Sequence, residues 1–251
     1  MNQARRILDQ DSKWEQHPNL KTVRATKAKA FAGDATHPAE PKMAWTMRDI
    51  DALKDEKLRH EMYAFIMSFP IQVCRNAGGI IFGHSDGRGG LLSIAAAYEF
   101  DPKNALSKSW IKRTMRTIGK LLVFVNVVIH MRPPAAFEGM DTVFERLEIV
   151  EGEKLTQYHG QYGPKEKHWY VETVGVDPES QGKGYGTELM EQIGKMADAE
   201  GKWCYLECTS EKNKRFFEKC GFKLVGTETV KDETDGATLD ICFMTREPQS
   251  V

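Results

Sequence analysis

Val174-Gly-Val-Asp-Pro-Glu-Ser-Gln-Gly-Lys-Gly-Tyr-Gly-Thr187 runs directly into Glu188-Leu-Met-Glu-Gln-Ile-Gly-Lys-Met-Ala197. Its start is apolar and β-branched, its middle is rich in glycine, and its end repeats apolar residues at helical spacing. The stretch therefore predicts a strand, a tight turn, a loop and a helix start. That order aims several backbone N–H groups at one point. Gly182, Gly184 and Gly186 let an anion approach without interference from Cβ, and the new helix adds its unpaired first-turn donors and the positive end of its dipole. A pyrophosphate is the natural guest, with Lys183 adding a charge and Thr187 a hydroxyl. Spacing separates the loop from two common phosphate motifs. A P-loop needs Lys-Ser/Thr after its second glycine, and the dinucleotide fingerprint needs Gly-x-Gly-x-x-Gly, whereas here the third glycine comes one residue early.

Downstream, Trp203-Cys-Tyr-Leu-Glu-Cys-Thr-Ser-Glu-Lys-Asn-Lys-Arg-Phe-Phe-Glu-Lys-Cys-Gly-Phe222 reads as a buried strand, a turn, a short helix ended by Gly221 and the start of another strand. Upstream, Lys167-His-Trp-Tyr-Val-Glu-Thr-Val-Gly-Val176 reads as the strand that enters the loop. Gln181-Gly182-Lys183-Gly184-Tyr185-Gly186 resembles the acetyl-CoA pyrophosphate loop of the GNAT family of N-acetyltransferases. Leu206-Glu207, Asn213-x-x-Phe216-Phe217 and Gly221-Phe222 resemble the second signature of that family. The resemblance covers residues 168–230. The His168-Trp169-Tyr170 opening is similar to that of the puromycin N-acetyltransferase-like branch, which acts on small amines.

The resemblance implies an α/β (α+β) fold: a central mixed, mostly antiparallel sheet flanked by helices, with a helical insertion before the cofactor-binding strand. It implies acetyl-CoA as co-substrate without a metal, and acetyl transfer to a primary amine of a small molecule by direct attack in a ternary complex. The loop from Gln181 through Thr187, with Tyr185 at the helix start, would hold the pyrophosphate. Backbone groups of Val174 and Val176 would meet the pantetheine, Asn213 the CoA arm, and Phe217 the pantetheine side. One departure bears on mechanism: the family usually has tyrosine at the position of Phe217, where its hydroxyl protonates the departing thiolate. Two other readings follow, a protein or peptide N-acetyltransferase with an open acceptor groove, and a non-catalytic acyl-CoA-binding module, which the phenylalanine would explain.

Acetyl transfer needs a deprotonated amine, a polarised carbonyl and a released thiolate. Strand alternation places His168, Tyr170, Glu172, Val174 and Val176 on one face. Glu172 is the one carboxylate on that strand and is the candidate base, acting directly or through water. Tyr170 is the second candidate. For Glu207, a structural hydrogen bond and contact with the acceptor are equally good readings.

The 251 residues suit one domain over 23–248, with a flexible tail over 1–22, a helical insertion over 103–165 and the acetyl-CoA core over 168–230. Leu53–Phe69 carries apolar residues at helical spacing, Asp86-Gly-Arg-Gly signals a hairpin over 79–101, Val143–Gly152 reads as a helix, and the glycine- and lysine-rich Tyr158–Lys167 is expected to lead back to the sheet. Ser107–Met131 is expected to be one buried helix. Later strands are expected near 203–209, 222–230 and 238–245, and Lys231–Gly236 as a solvated turn. A net charge of −1 without a basic block argues against nucleic acid and acidic membrane as partners. The 11-residue apolar run Leu121–Met131 is too short to span a bilayer, and the acidic residues near Met1 do not suit a secretory signal. The five cysteines form no paired or metal-ligand pattern and read as buried thiols of a reduced, cytoplasmic protein. A monomer or a homodimer is expected.

Overall fold

The computed structural model describes residues 14–16, 20–33, 37–105 and 138–250. In chain order these form β1 (Trp14–Gln16), α1 (Leu20–Ala32), α2 (Pro41–Thr46), α3 (Glu56–Ile66), α4 (Ser68–Asn76), β2 (Ile80–His84), β3 (Ser93–Phe100) and α5 (Pro102–Ala105). There follow α6 (Met140–Glu151), α7 (Glu153–Tyr162), β4 (His168–Val176), α8 (Tyr185–Ala199), β5 (Cys204–Cys208), α9 (Glu211–Lys219), β6 (Lys223–Lys231) and β7 (Thr238–Arg246). The strands make one sheet in the order β1-β2-β3-β4-β5-β7-β6. Every neighbouring pair is antiparallel except β4 and β5. This is the mixed, mostly antiparallel sheet expected, and β2 to β7 fall where the sequence placed them.

Each face of the sheet is closed by helices whose apolar stripes match it. Leu189, Met190, Ile193, Met196 and Ala197 of α8 pack on Trp169, Val171, Leu206 and Met244. Each such side chain contributes roughly 1.5–3 kcal/mol when fully buried. On the other face, α1 and α3 join through Ala28, Ala32, Met62, Phe65 and Ile66, while Val150 of α6 meets Tyr205 and Phe243. Helix starts carry local signals: Glu40 accepts from Met43 N with Pro41 in the first turn of α2, Asp55 caps α3, and Ser210 caps α9.

The structure differs from expectation in four places. Residues 14–16 and 20–22, inside the stretch expected as a tail, belong to β1, which pairs with β2, and to α1. The helical run expected over Leu53–Phe69 is divided at Met67, where α3 ends and α4 begins. Tyr158–Tyr162, expected to lead back to the sheet, complete α7. The helix expected over 107–131, with Trp110 and His130, lies outside the described residues.

The fourth difference is energetic. Lys231–Gly236 is an exposed turn except at Asp232, which is buried and accepts from Arg48 Nη2 at 2.7 Å and Arg146 Nε at 3.2 Å. Asp235 accepts from the same two guanidinium groups. Arg146, itself buried, also donates to the Arg48 carbonyl at 2.6 Å. These bonds, together with those of Asp232 to Thr234, hold the Asp232 carboxyl below the usual carboxylate range. The β6–β7 turn is thereby fastened to α6 and to the segment after α2. Arg146→Ala strips a buried charge cluster of one partner, so denaturant melts should record a loss of about 3 kcal/mol. A loss below about 0.5 kcal/mol would mean that the turn is held by something else.

Candidate active site

β4 is where the geometry of the site originates. It pairs with β5 only at Trp169↔Cys204 and Tyr170↔Tyr205, after which the two strands part. Along its other edge, Ala96 faces Thr173 and Ala97 faces Val171, so Glu172 is an extra residue in a β-bulge. The bulge reverses the faces. Val171 and Val174 both pack toward α8, and Val176 lies 3.5 Å from the place a Cβ on Gly186 would occupy. Tyr170 and Glu172 look the other way, toward α1 and α6, Tyr170 packing beside Val150 and Tyr205. Strict alternation, which put Val174 and Val176 on the face of Tyr170 and Glu172, is therefore incorrect. A strand count of two fails across one inserted residue.

The space between the parting strands is a cavity of about 140 Å³ lined by Tyr170–Val174 of β4, Leu206–Thr209 of β5, Asn213 and Phe217 of α9, and residues of α1, α2 and α6. Beside it, the glycine loop has the expected form. Gly182 and Gly184 take φ of +76° and +90°, in the left-handed region, and no atom lies within 4 Å of a Cβ built on either. Gly184 is the N-cap of α8 and supplies no capping side chain, so the helix presents first-turn N–H groups. Lys183 Nζ donates to the Glu179 carbonyl at 2.9 Å, which fixes it to the loop rather than extending it. Gln181 and Thr187 are exposed and Tyr185 packs on His84.

Charge is concentrated in the cavity wall: Glu40, Glu151, Glu172 and Glu207 stand against Lys27 and Lys42. Lys42 pairs with Glu151 at 2.6 Å. Glu40 caps α2 and also accepts from the Thr209 hydroxyl, so it ties the N-terminal helices to the end of β5. Glu207 Oε2 accepts from the Tyr170 hydroxyl at 2.8 Å, while Oε1 is buried without a partner among the described residues. Burial pushes Glu207 up to about 7 against the opposing effect of that hydroxyl. Burial also raises Glu172, with Glu151 and Glu207 adding to the shift and Lys27 and Lys42 opposing it. Tyr170 is held well above the ordinary phenol range by burial and by Glu207, to which its hydroxyl donates.

Residues 149–222 match the family model of the acetyltransferase (GNAT) family. By that match this stretch, under a third of the chain, is of the GNAT family. An uncharacterised N-acetyltransferase of Schizosaccharomyces pombe is 35% identical over 82 residues, which are 33% of this chain and 32% of the yeast protein, so the similarity spans about a third of that relative. Two solved structures share the GNAT fold. Arylalkylamine N-acetyltransferase 2 of Aedes aegypti superposes with a TM-score of 0.55 at 12% identity, covering 95% of this chain and 100% of its own. A mutant agmatine N-acetyltransferase superposes with 0.52 at 15%, covering 94% and 100%.

Of the residues singled out in the sequence, Tyr170, Glu172, Val174, Asn213 and Phe217 are gathered in one cavity, while Val176 and the 181–187 loop adjoin it. The sequence reading missed Lys27, Glu40, Lys42, Glu151 and Thr209. Only Glu40 left a signal, the Glu-Pro pair of a helix start. Among the described residues no helix is long and apolar enough to cross a membrane, and no group of three or more His, Cys, Asp or Glu could hold a metal.

Gly184→Asp places a carboxylate where the loop is open. The GNAT family uses acetyl-CoA, so calorimetry should record at least a hundredfold loss of acetyl-CoA affinity. Melting should change little, because aspartate tolerates the left-handed region and meets no neighbour. Near-normal affinity in the folded variant would remove the loop from the binding site.

Proposed function

We propose that the protein is an acetyl-CoA-dependent N-acetyltransferase that acetylates a primary amine of a cationic small molecule. The observation that carries this reading is the position of Glu172: a carboxylate on a bulge where two strands part, in the same cavity as Asn213 and Phe217. Acetyl-CoA would lie with its pyrophosphate on the 181–187 loop and its pantetheine between β4 and β5, along the β4 edge that β5 has left. The free edge supplies backbone N–H groups for the thioester oxygen. An ammonium group entering the cavity favours the ionised form of the buried Glu172 and Glu207, so the wall suits an acceptor that carries positive charge. The two structural neighbours, an arylalkylamine and an agmatine N-acetyltransferase, support the same class.

The reaction is a direct transfer. Glu172, as carboxylate, accepts a proton from the ammonium or from the attacking amine, directly or through water. The amine nitrogen forms a bond to the thioester carbon, and the carbon–sulfur bond then breaks. Phe217 offers no hydroxyl to the sulfur. A thiol of pKa near ~8.5 is a fair leaving group, so water or the proton lost by the amine is sufficient. Tyr170 acts through Glu207, whose orientation its hydroxyl fixes.

The base must be ionised, and its pKa lies above the ordinary carboxylate range, so kcat/KM should rise with pH through that raised value. Glu172→Gln should lower turnover by about a hundredfold at neutral pH with acetyl-CoA affinity unchanged, and the deficit should narrow at high pH, where the amine is already neutral. Unchanged turnover at neutral pH would move the base elsewhere.

Phe217 favours a second reading, a non-catalytic acyl-CoA-binding module, and single-turnover kinetics separate the two. With an enzyme, the wild type acetylates at least one member of an amine panel, and Phe217→Tyr raises the chemical step by up to about a hundredfold if its hydroxyl reaches the sulfur. A wild type that binds acetyl-CoA and acetylates nothing, while Phe217→Tyr does, would establish the module.

A further inference from the structure

Lys27 is a buried charge that the transfer reaction described above leaves unused. Its side chain is fully buried on α1, and it has no carboxylate within ion-pair distance among the described residues. Its ammonium has one long contact, 3.5 Å to the Met67 carbonyl, and stands 5.8 Å from the centre of the Phe31 ring. An ammonium has three N–H donors and is strongly hydrated in water, so burying it with one weak acceptor is destabilising. An apolar residue of similar length would suit a purely structural role better.

Its place explains the cost. α1 lies across β4 at the bulge, with Phe31 and Ala30 so close to Gly175 that a Cβ there would sit 2.9 and 3.2 Å from them. One turn earlier on α1, Lys27 lines the same cavity as Glu172. The charged and titratable groups that face it are Glu172 on β4, Lys42 on α2, Glu151 on α6 and Cys74 on α4. Glu151 is already committed to Lys42 at 2.6 Å, and burial pushes the Cys74 thiol up to about 12, which keeps it neutral. Glu172 has no hydrogen-bond or ion-pair partner among the described residues, and it is left as the anion that Lys27 serves.

We propose that Lys27 is a positioning residue for acetyl transfer, its buried ammonium favouring the ionised form of the Glu172 carboxylate across the cavity they share. The inference rests on the reading of Glu172 as the base. Burial lowers the affinity of Lys27 for its proton while Glu172 raises it, so the two groups stabilise one another's charge inside a site that disfavours each alone.

The test is the pH profile of kcat/KM for the full chain with an amine acceptor found active in the panel, comparing wild type, Lys27→Met and Lys27→Arg. Removing the cation raises the pKa of the base, so in Lys27→Met the acidic limb should move upward by about one pH unit or more. Activity on that limb should fall by about tenfold per unit, and the high-pH plateau should be kept. Lys27→Arg retains the charge and should keep the wild-type limb. Melting curves and acetyl-CoA calorimetry on each variant confirm that fold and cofactor site are intact. A limb that stays in place in Lys27→Met overturns the inference. So does an equal loss in both variants at every pH, which marks a packing role. Glu172→Gln tells the two failures apart: if it retains full turnover, the base assignment falls and the role of Lys27 with it. If it is impaired while the Lys27→Met limb is unmoved, only the present inference falls.

Discussion

The parting of β4 from β5 after two paired residues is the constraint on which the rest of the molecule depends. A sheet normally satisfies every backbone group along an internal strand, and a strand that leaves its neighbour exposes donors and acceptors in the middle of the fold. Such a gap is tolerable only if something polar fills it or water enters. An extended amide-bearing chain such as pantetheine suits a strand-shaped opening, because it can offer the same alternation of donor and acceptor that a β-strand would. The bulge at Glu172 belongs to the same solution: it bends β4 away and turns one polar side chain into the opening. The opening and the position of Glu172 therefore arise from one irregularity.

The electrostatics of the cavity follow from what is allowed inside a fold. Isolated carboxylates in a low-dielectric site are costly, and the chain limits that cost by pairing, not by exclusion: Lys42 with Glu151, the Tyr170 hydroxyl with Glu207. Among the described residues Glu172 has no such direct partner, and burial raises its proton affinity. A base tuned upward from the carboxylate range is better matched to removing a proton from an ammonium, since proton transfer works best when donor and acceptor are close in affinity. In the proposed reaction the incompleteness of the pairing is thus what would give the site its reactivity. By contrast, the buried pair His159 and His168, in contact at 2.9 Å and stacked among Phe100 and Tyr205, is held neutral by burial and serves packing.

The core from β4 through β6 was legible because its signals are local. The glycine loop, the apolar stripe of α8, the Ser210 cap and the Gly221 stop each act within a few residues. The bulge was invisible for the opposite reason: it is a mismatch in register with β3, and nothing in His168–Val176 alone states that Ala96 and Ala97 will face Thr173 and Val171. The acceptor side was unreadable for a related cause. Lys27, Glu40, Lys42 and Glu151 come from three helices and meet Glu172 only after the chain has folded over the sheet. Asp232 misled in another way. A charged, glycine-containing hexapeptide has the composition of a solvated turn, and only the arrival of Arg48 and Arg146 from residues far away in sequence turns it into a buried anchor.

That anchor and the Glu40 contact together give the N-terminal half its part in the chemistry. Arg48 follows α2, Arg146 is on α6, and both are fastened to the β6–β7 turn; Glu40 is fastened to Thr209 at the open end of β5. The segment carrying Glu40 and Lys42 is thus held to the sheet at both ends. Held this way, the carboxylates of the wall keep fixed positions relative to Glu172, and a preorganised set of charges stabilises developing charge without having to reorient when the amine attacks. Acceptor choice then becomes a property of rigid spacing between helices that share no sequence motif. The half of the chain with the weakest signature accordingly holds the groups that would choose the acceptor, while the half with the strongest signature holds the loop and strand proposed for the cofactor.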